Sequence, residues 1–183
     1  MNTAPSIEQR LAEVESRLAI AQLIAKYSFA VDDRDIDTMG ELFTEDAFFG
    51  SIDKVMGARG RDAILKQFEG RFSILGPGNH FTHNHTLEFD SPTRAHGVVS
   101  AHAELFRNDK AMVTAFRYND VYEKSDGAWR FAERLLSFFY YLDVRDYAST
   151  LGKLDRNRAY DKPLPADFPE ALPSWKLYHK EVG

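Results

Sequence analysis

HFTHNHTLEFDSPTRAHGVVSAHAELFRNDKAMVTAFRYNDVYEKSDGAWRFAERLLSFFYY, residues 80–141, decides the fold of this chain. The stretches 80–89, 95–107, 111–123 and 128–141 are rich in β-branched and aromatic residues and read as strands. DSPT, RNDK and KSDG separate them with turn-forming residues. Successive strands joined by turns this short make an antiparallel meander.

Upstream of residue 80 the period is helical. Ser6 and Gln9 form a capping box, and Ile7, Leu11, Val14, Leu18, Ala21 and Ala25 follow at spacings of four and three. Ile20, Leu23, Ile24, Tyr27 and Val31 widen the apolar stripe, so the helix enters the core as it ends. DDRDID interrupts it, and Ile36, Met39, Leu42 and Phe43 predict a second short helix. AFFGSID reads as a brief strand, Gly57 and Gly60 bracket a turn, and Arg61 to Phe72 reads as a third helix. GPGN at 76–79 breaks that helix, so the histidine-rich strand is expected to open at His80. Helices gathered before strands predict an α+β fold, with a curved antiparallel sheet closing over the N-terminal helices to enclose a pocket. From Asp143 the periodicity weakens, and KPLPADFPEALPSW holds four of the seven prolines. The expected organisation is therefore one α+β domain over 1–142 and a Pro-rich extension over 143–183. The extension's Phe168, Leu172, Trp175 and Tyr178 are apolar enough to pack on the domain or on a neighbouring subunit.

Composition narrows the function. A net charge of −5 and a pI of about 5.7 provide no basic footprint for nucleic acid or an anionic membrane. The absence of cysteine removes thiol nucleophiles, disulfides and thiolate metal sites. MNTAPSIEQRLAEVESR lacks the basic start and apolar run of a signal peptide, and no stretch approaches a membrane span, so the expected compartment is the cytoplasm. Gly76 to Gly78 is not followed by the residues of a phosphate loop.

Asp32, at the end of the first helix, and His80 are the residues with the clearest catalytic chemistry. An aspartate that orients an imidazole makes a general base able to work at neutral pH. Asp33, Asp35 and Asp37 surround Asp32 and suit solvated or capping roles. His83 and His85 share one face of a regular strand, while His80, Thr82 and Asn84 share the other. His-x-His with Glu88 nearby invites a metal reading, but no matching second half follows and three helices do not suit a cupin barrel. Arg134 lies on a strand face with Ala132, Leu136, Phe138 and Tyr140. If buried it needs a partner, from a substrate oxygen, Asp32, Glu133 or Asp120, because an unpaired buried charge costs several kcal/mol. Tyr27 and Tyr118 are candidates for the pocket lining because a buried hydroxyl must find a partner.

The segments LIAKYSFAVDDRDIDTMGELFTEDAFF, HFTHNHTLEFD and YNDVYEKSDGAWRFAERL together resemble the SnoaL-like branch of the nuclear transport factor 2-like superfamily, over roughly residues 8–142. Within it the chain looks like the lyases: scytalone dehydratase, bile acid 7-alpha-dehydratase and hexachlorocyclohexane dehydrochlorinase. The resemblance implies a cone-shaped, cystatin-like α+β barrel and an Asp-His dyad that works without metal or organic cofactor. It places that dyad at Asp32 and His80, a substrate-contacting tyrosine at Tyr27, a pocket arginine at Arg134 and, in a looser alignment, a second pocket residue at His102. Tyr118 and Asn84 complete the expected substrate-binding set. The implied function is a lyase, a dehydratase or a related elimination that could release formaldehyde, acting on a hydrophobic ring-containing small molecule. A polyketide cyclase or ketosteroid-isomerase-like enzyme and a non-catalytic binding module are the alternatives. A homodimer or homotrimer is expected, because an open sheet leaves one face needing cover.

Overall fold

The chain begins its folded part where the sequence marks a cap. In the computed structural model, which describes residues 4–182, the Ser6 hydroxyl accepts from the Gln9 N–H at 3.2 Å and the Gln9 side chain accepts from the Ser6 N–H at 2.8 Å. Helix α1 (Ile7–Asp33) follows, with Ile7, Leu11, Val14 and Leu18 exposed and Ile20, Leu23, Ile24, Tyr27 and Val31 buried. The order continues through α2 (Ile36–Leu42), β1 (Phe43–Ser51), β2 (Gly57–Arg59) and α3 (Arg61–Phe72). The long strands β3 (Leu75–Ser91), β4 (Arg94–Arg107), β5 (Lys110–Ser125) and β6 (Ala128–Asp143) come next. The architecture is α+β: one curved, open six-stranded sheet, ordered β2-β1-β6-β5-β4-β3, with the N-terminal helices against its inner face.

Two features differ from the sequence-based expectation. β1 lies parallel to β6, so the sheet is not wholly antiparallel. A parallel pair needs a long crossover, here everything from β2 to β5, and local turn signals do not register it. Secondly, GPGN lies inside β3, which opens at Leu75 rather than at His80. β3 is an edge strand, where the missing N–H of Pro77 is tolerated. Gly78 has a packing reason: a Cβ there would stand 2.7 Å from the Leu105 side chain.

Register gives each side chain its face. His80, Thr82 and His85 pair with Ala103, Ala101 and Val99, all buried on the inner face, and the three-for-two count between Thr82 and His85 is a β-bulge. The core runs from these residues across Phe116, Tyr118 and Tyr122 of β5 to Phe131, Leu136 and Phe138 of β6.

One charge sits in the middle of this core. Arg134 is fully buried and donates from Nε and Nη2 to the two carboxylate oxygens of Asp120, each at 3.1 Å. Tyr122 donates its hydroxyl to the same carboxylate at 2.8 Å. The guanidinium carbon is 3.8 Å from the Tyr118 ring centroid and 4.1 Å from those of Tyr27 and Phe131. Of the partners open to Arg134 in the sequence, the fold uses Asp120.

After β6 a 3-10 turn (Val144–Asp146) and the short helix α4 (Tyr147–Thr150) lead into an irregular segment tied back to the sheet. Arg156 is buried, donates to the Phe139 carbonyl at 2.7 Å and pairs with Glu170 at 2.7 Å, which holds that carboxyl below its usual range. The chain ends in α5 (Pro173–Val182), whose Trp175, Leu177 and Tyr178 are exposed. This helix begins within the Pro-rich stretch, and Pro173 stands at its first position, where a missing N–H costs nothing. Among the described residues no helix is long and apolar enough to cross a membrane.

Replacing Asp120 with Ala leaves the Arg134 charge buried and unpaired. The expected loss is about 3–5 kcal/mol, read as a lower urea midpoint at unchanged slope.

Candidate active site

Asp32 occupies the last turn of α1, an unfavourable place for a carboxylate because the helix dipole is negative there. Two donors from one residue compensate. The His80 backbone N–H donates to Asp32 Oδ2 at 2.7 Å, and His80 Nδ1 lies 2.5 Å from Asp32 Oδ1. The approach is set by Arg34, which closes α1 in the left-handed conformation (φ 60°) and donates to the Leu75 and Gly76 carbonyls at 2.6 and 3.1 Å. The helix end is thereby fastened to the first residues of β3, and Asp32 meets His80 a short way along the strand.

With Nδ1 engaged as a donor to Asp32, the neutral imidazole carries its lone pair on Nε2. His80 lines a cavity of about 460 Å³, within the roughly 300–1,000 Å³ of small-molecule sites. Phe49, Phe68, Phe72, Phe116 and Phe138 contribute to its apolar wall. Tyr27 and Tyr118 contribute phenol groups and also cover Arg134 from above. Burial pushes the Tyr27 phenol up to about 12 against the opposing fields of Arg134 and Arg71, and burial likewise holds Tyr118 well above its ordinary value. Both remain protonated, and able to donate, throughout the neutral range. The irregular segment after β6 closes part of the wall: Ala159 and Tyr160 line the cavity, and the Tyr160 hydroxyl donates to Asp53 at 3.2 Å.

The residues singled out in the sequence divide into three groups. Asp32, His80, Tyr27 and Tyr118 come together at the cavity. Arg134 lies one layer beneath it, sealed under the two tyrosines, and does not line it. His102 and Asn84 lie away from it. His102 pairs across the strands with Phe81, one residue out of phase with His80. On the outer face it stacks on Phe81 and lies 2.7 Å from His83 Nε2. Asn84 falls in the bulge and is exposed. The same bulge corrects the expected sharing of a face by His83 and His85: it turns His85 to the side of His80 and leaves His83 with His102. The two imidazoles therefore cannot chelate from one strand face.

Two cavity cations escaped sequence reasoning. Arg71 sits with Gln67, Phe68 and Phe72 on one face of α3, and Arg107 ends β4 within the RNDK turn. The signal for Arg71 was a polar residue inside an apolar helical stripe. Arg107 offered none, since it reads as an ordinary turn residue.

The chain is similar to several known proteins. The SnoaL-like domain family profile matches residues 12–135. Gamma-hexachlorocyclohexane dehydrochlorinase of Sphingobium indicum is 27% identical over 130 residues, which cover 68% of this chain and 81% of that protein. An uncharacterized protein of Mycobacterium tuberculosis is 28% identical over 131 residues, covering 68% and 86%. Among solved structures, a candidate scytalone dehydratase of Novosphingobium aromaticivorans superposes with a TM-score of 0.68 at 26% identity, covering 72% of this chain and 89% of that one.

The contact geometry makes a direct spectroscopic prediction. The neutral form of the His80 ring is expected to carry its proton on Nδ1, visible as that tautomer in ¹⁵N NMR of the imidazole. Asp32→Ala is expected to let the Nε2-protonated form appear.

Proposed function

Since the chain belongs to the SnoaL-like domain family, we propose that it is a cofactor-independent lyase that uses His80 as general base and Asp32 as its orienting partner on a hydrophobic ring-containing substrate. One observation carries this reading: a single carboxylate grips both the backbone and Nδ1 of His80, so that Nε2 is the free base beside an apolar cavity. The likeness to a dehydrochlorinase and to a candidate dehydratase supports elimination as the reaction class.

In the elimination, Nε2 takes a proton from the carbon next to an activating group. The C–H electron pair becomes the new double bond, and the leaving group departs with its own bonding pair as hydroxide or halide. Asp32 stabilises the imidazolium that forms, without itself accepting the proton. Tyr27 and Tyr118 donate to the developing negative charge, and Arg134, held against their rings, acts through them as a positioning residue. Dehydration is the leading case. Release of formaldehyde from a hydroxymethyl-bearing aromatic is chemically adjacent: the base takes the hydroxyl proton, the C–O bond becomes a carbonyl, and the C–C pair stays on the ring-bearing fragment.

The outer face of the sheet supports the further reading of a homodimer or homotrimer, since Phe81, Val98 and Phe106 stand exposed there. Sedimentation of the purified chain is expected to give two or three times the monomer mass of 20.9 kDa. A monomer at micromolar concentration would discard this reading.

Asp32→Asn and His80→Ala are each expected to lower turnover by about 10²- to 10⁴-fold, with circular dichroism and thermal unfolding close to those of the parent. Candidate aromatic substrates followed by mass spectrometry should yield products lighter by water, halide or formaldehyde. A product of unchanged mass would instead identify an isomerase or cyclase, and near-normal turnover in either variant would remove the dyad.

A further inference from the structure

The cavity contains more positive charge than the proposed chemistry uses. Arg71 projects from the last turn of α3 with its guanidinium carbon 5.4 Å from the ring centroids of both Phe49 and Phe68, and one of its nitrogens touches the Met56 sulfur. Arg107 enters from the end of β4. It donates from Nη1 to the Ala159 carbonyl at 2.7 Å, while its Nε is buried without a partner. Among the described residues no carboxylate lies within 4.0 Å of either guanidinium, in contrast to Arg134 and Arg156, which each have one. Burial lowers the Arg71 pKa, and the groups opposing that shift are four tyrosines, Tyr27, Tyr118, Tyr160 and Tyr141, all of them cavity residues. A guanidinium has five N–H donors, and a thioether sulfur and two ring faces leave most of those of Arg71 open to the cavity. Both side chains are half-buried there, and among the described residues no carboxylate pairs with either. An anion in the cavity would supply that partner.

We propose that Arg71, assisted by Arg107, forms a subsite for an anionic oxygen on the ring-bearing substrate, a carboxylate or a phenolate. This assignment rests on the cavity being the substrate site and deepens that reading; it does not depend on His80 acting as a base. The planar fork of Arg71 suits a carboxylate bound through both oxygens, or a single phenolate oxygen shared with Arg107. The surrounding phenylalanines hold the ring, and they exclude the water that would otherwise weaken the ionic contact. Tyr27 and Tyr118 remain protonated beside these cations, so they add no competing negative charge.

Binding to the whole chain tests this apart from turnover. Biphenyl-4-carboxylate and biphenyl-4-carboxamide share shape and differ in charge, and calorimetry is expected to find the acid bound at least tenfold more tightly. 4-Nitrophenol reports the other source, since its phenolate is yellow: the protein should hold it ionised at a pH where the free compound is largely neutral. Arg71→Gln is expected to bring acid and amide within about twofold of each other and to abolish the yellow shift, while Arg71→Lys keeps part of both. His80→Ala should leave the preference intact, which separates failure of this subsite from failure of the proposed base. If the unmodified protein favours neither anion, or if a folded Arg71→Gln retains the preference, the subsite is overturned. Should Arg71→Gln not fold, the unmodified protein and Arg107→Gln decide it: an anion preference that Arg107→Gln weakens supports the subsite, and one that it leaves unchanged overturns it.

Discussion

A full positive charge in the centre of the core, answered by one carboxylate, constrains everything built around it. Arg134 and Asp120 meet across β6 and β5, so the register of these central strands is tied to an ion pair as well as to apolar burial. A one-residue slip would separate the pair and leave the two charges on opposite faces of the sheet. Tyr27 reaches this guanidinium from α1 and Tyr118 from β5, which fixes where the helix crosses the sheet. That crossing in turn decides where α1 ends, and so where Asp32 meets β3. The position of the candidate base thus follows from the packing of a charge that never reaches the cavity.

Much of the fold was legible because its signals are local. The Ser6 cap, the bounds of α3 and the turns between the meander strands are each written in neighbouring residues, and the structure follows them. What escaped was set by distant contacts. The parallel seam of β1 with β6 depends on a crossover that spans much of the chain. Pro77 reads as a strand breaker until the edge position of β3 is known. The candidate site divides in the same way. Asp32 and His80 could be paired by chemistry and family pattern, whereas the face of each histidine could not be read from parity, because the bulge between Thr82 and His85 resets it. Arg134 was read as a cation in want of a partner, and only the three-dimensional arrangement chose between a substrate oxygen and Asp120. The opposite holds for Arg71, a polar residue inside the apolar stripe of α3, which lines an aromatic cavity with no acidic partner among the described residues.

The cavity wall is assembled from stretches with different standing in the chain. Asp32, His80, Tyr27, Tyr118, Arg71 and Arg107 all fall within residues 12–135, the part that carries the family pattern. Phe138, Tyr141, Ala159 and Tyr160 lie beyond it, and the last two come from the segment anchored by Arg156 and Glu170. Insertions, deletions or exchanges in that segment alter the shape of the chamber without touching the Asp32–His80 end. A protein built in this way can acquire a new ligand by rewriting its tail, and two relatives with the same core pattern need not share a single compound.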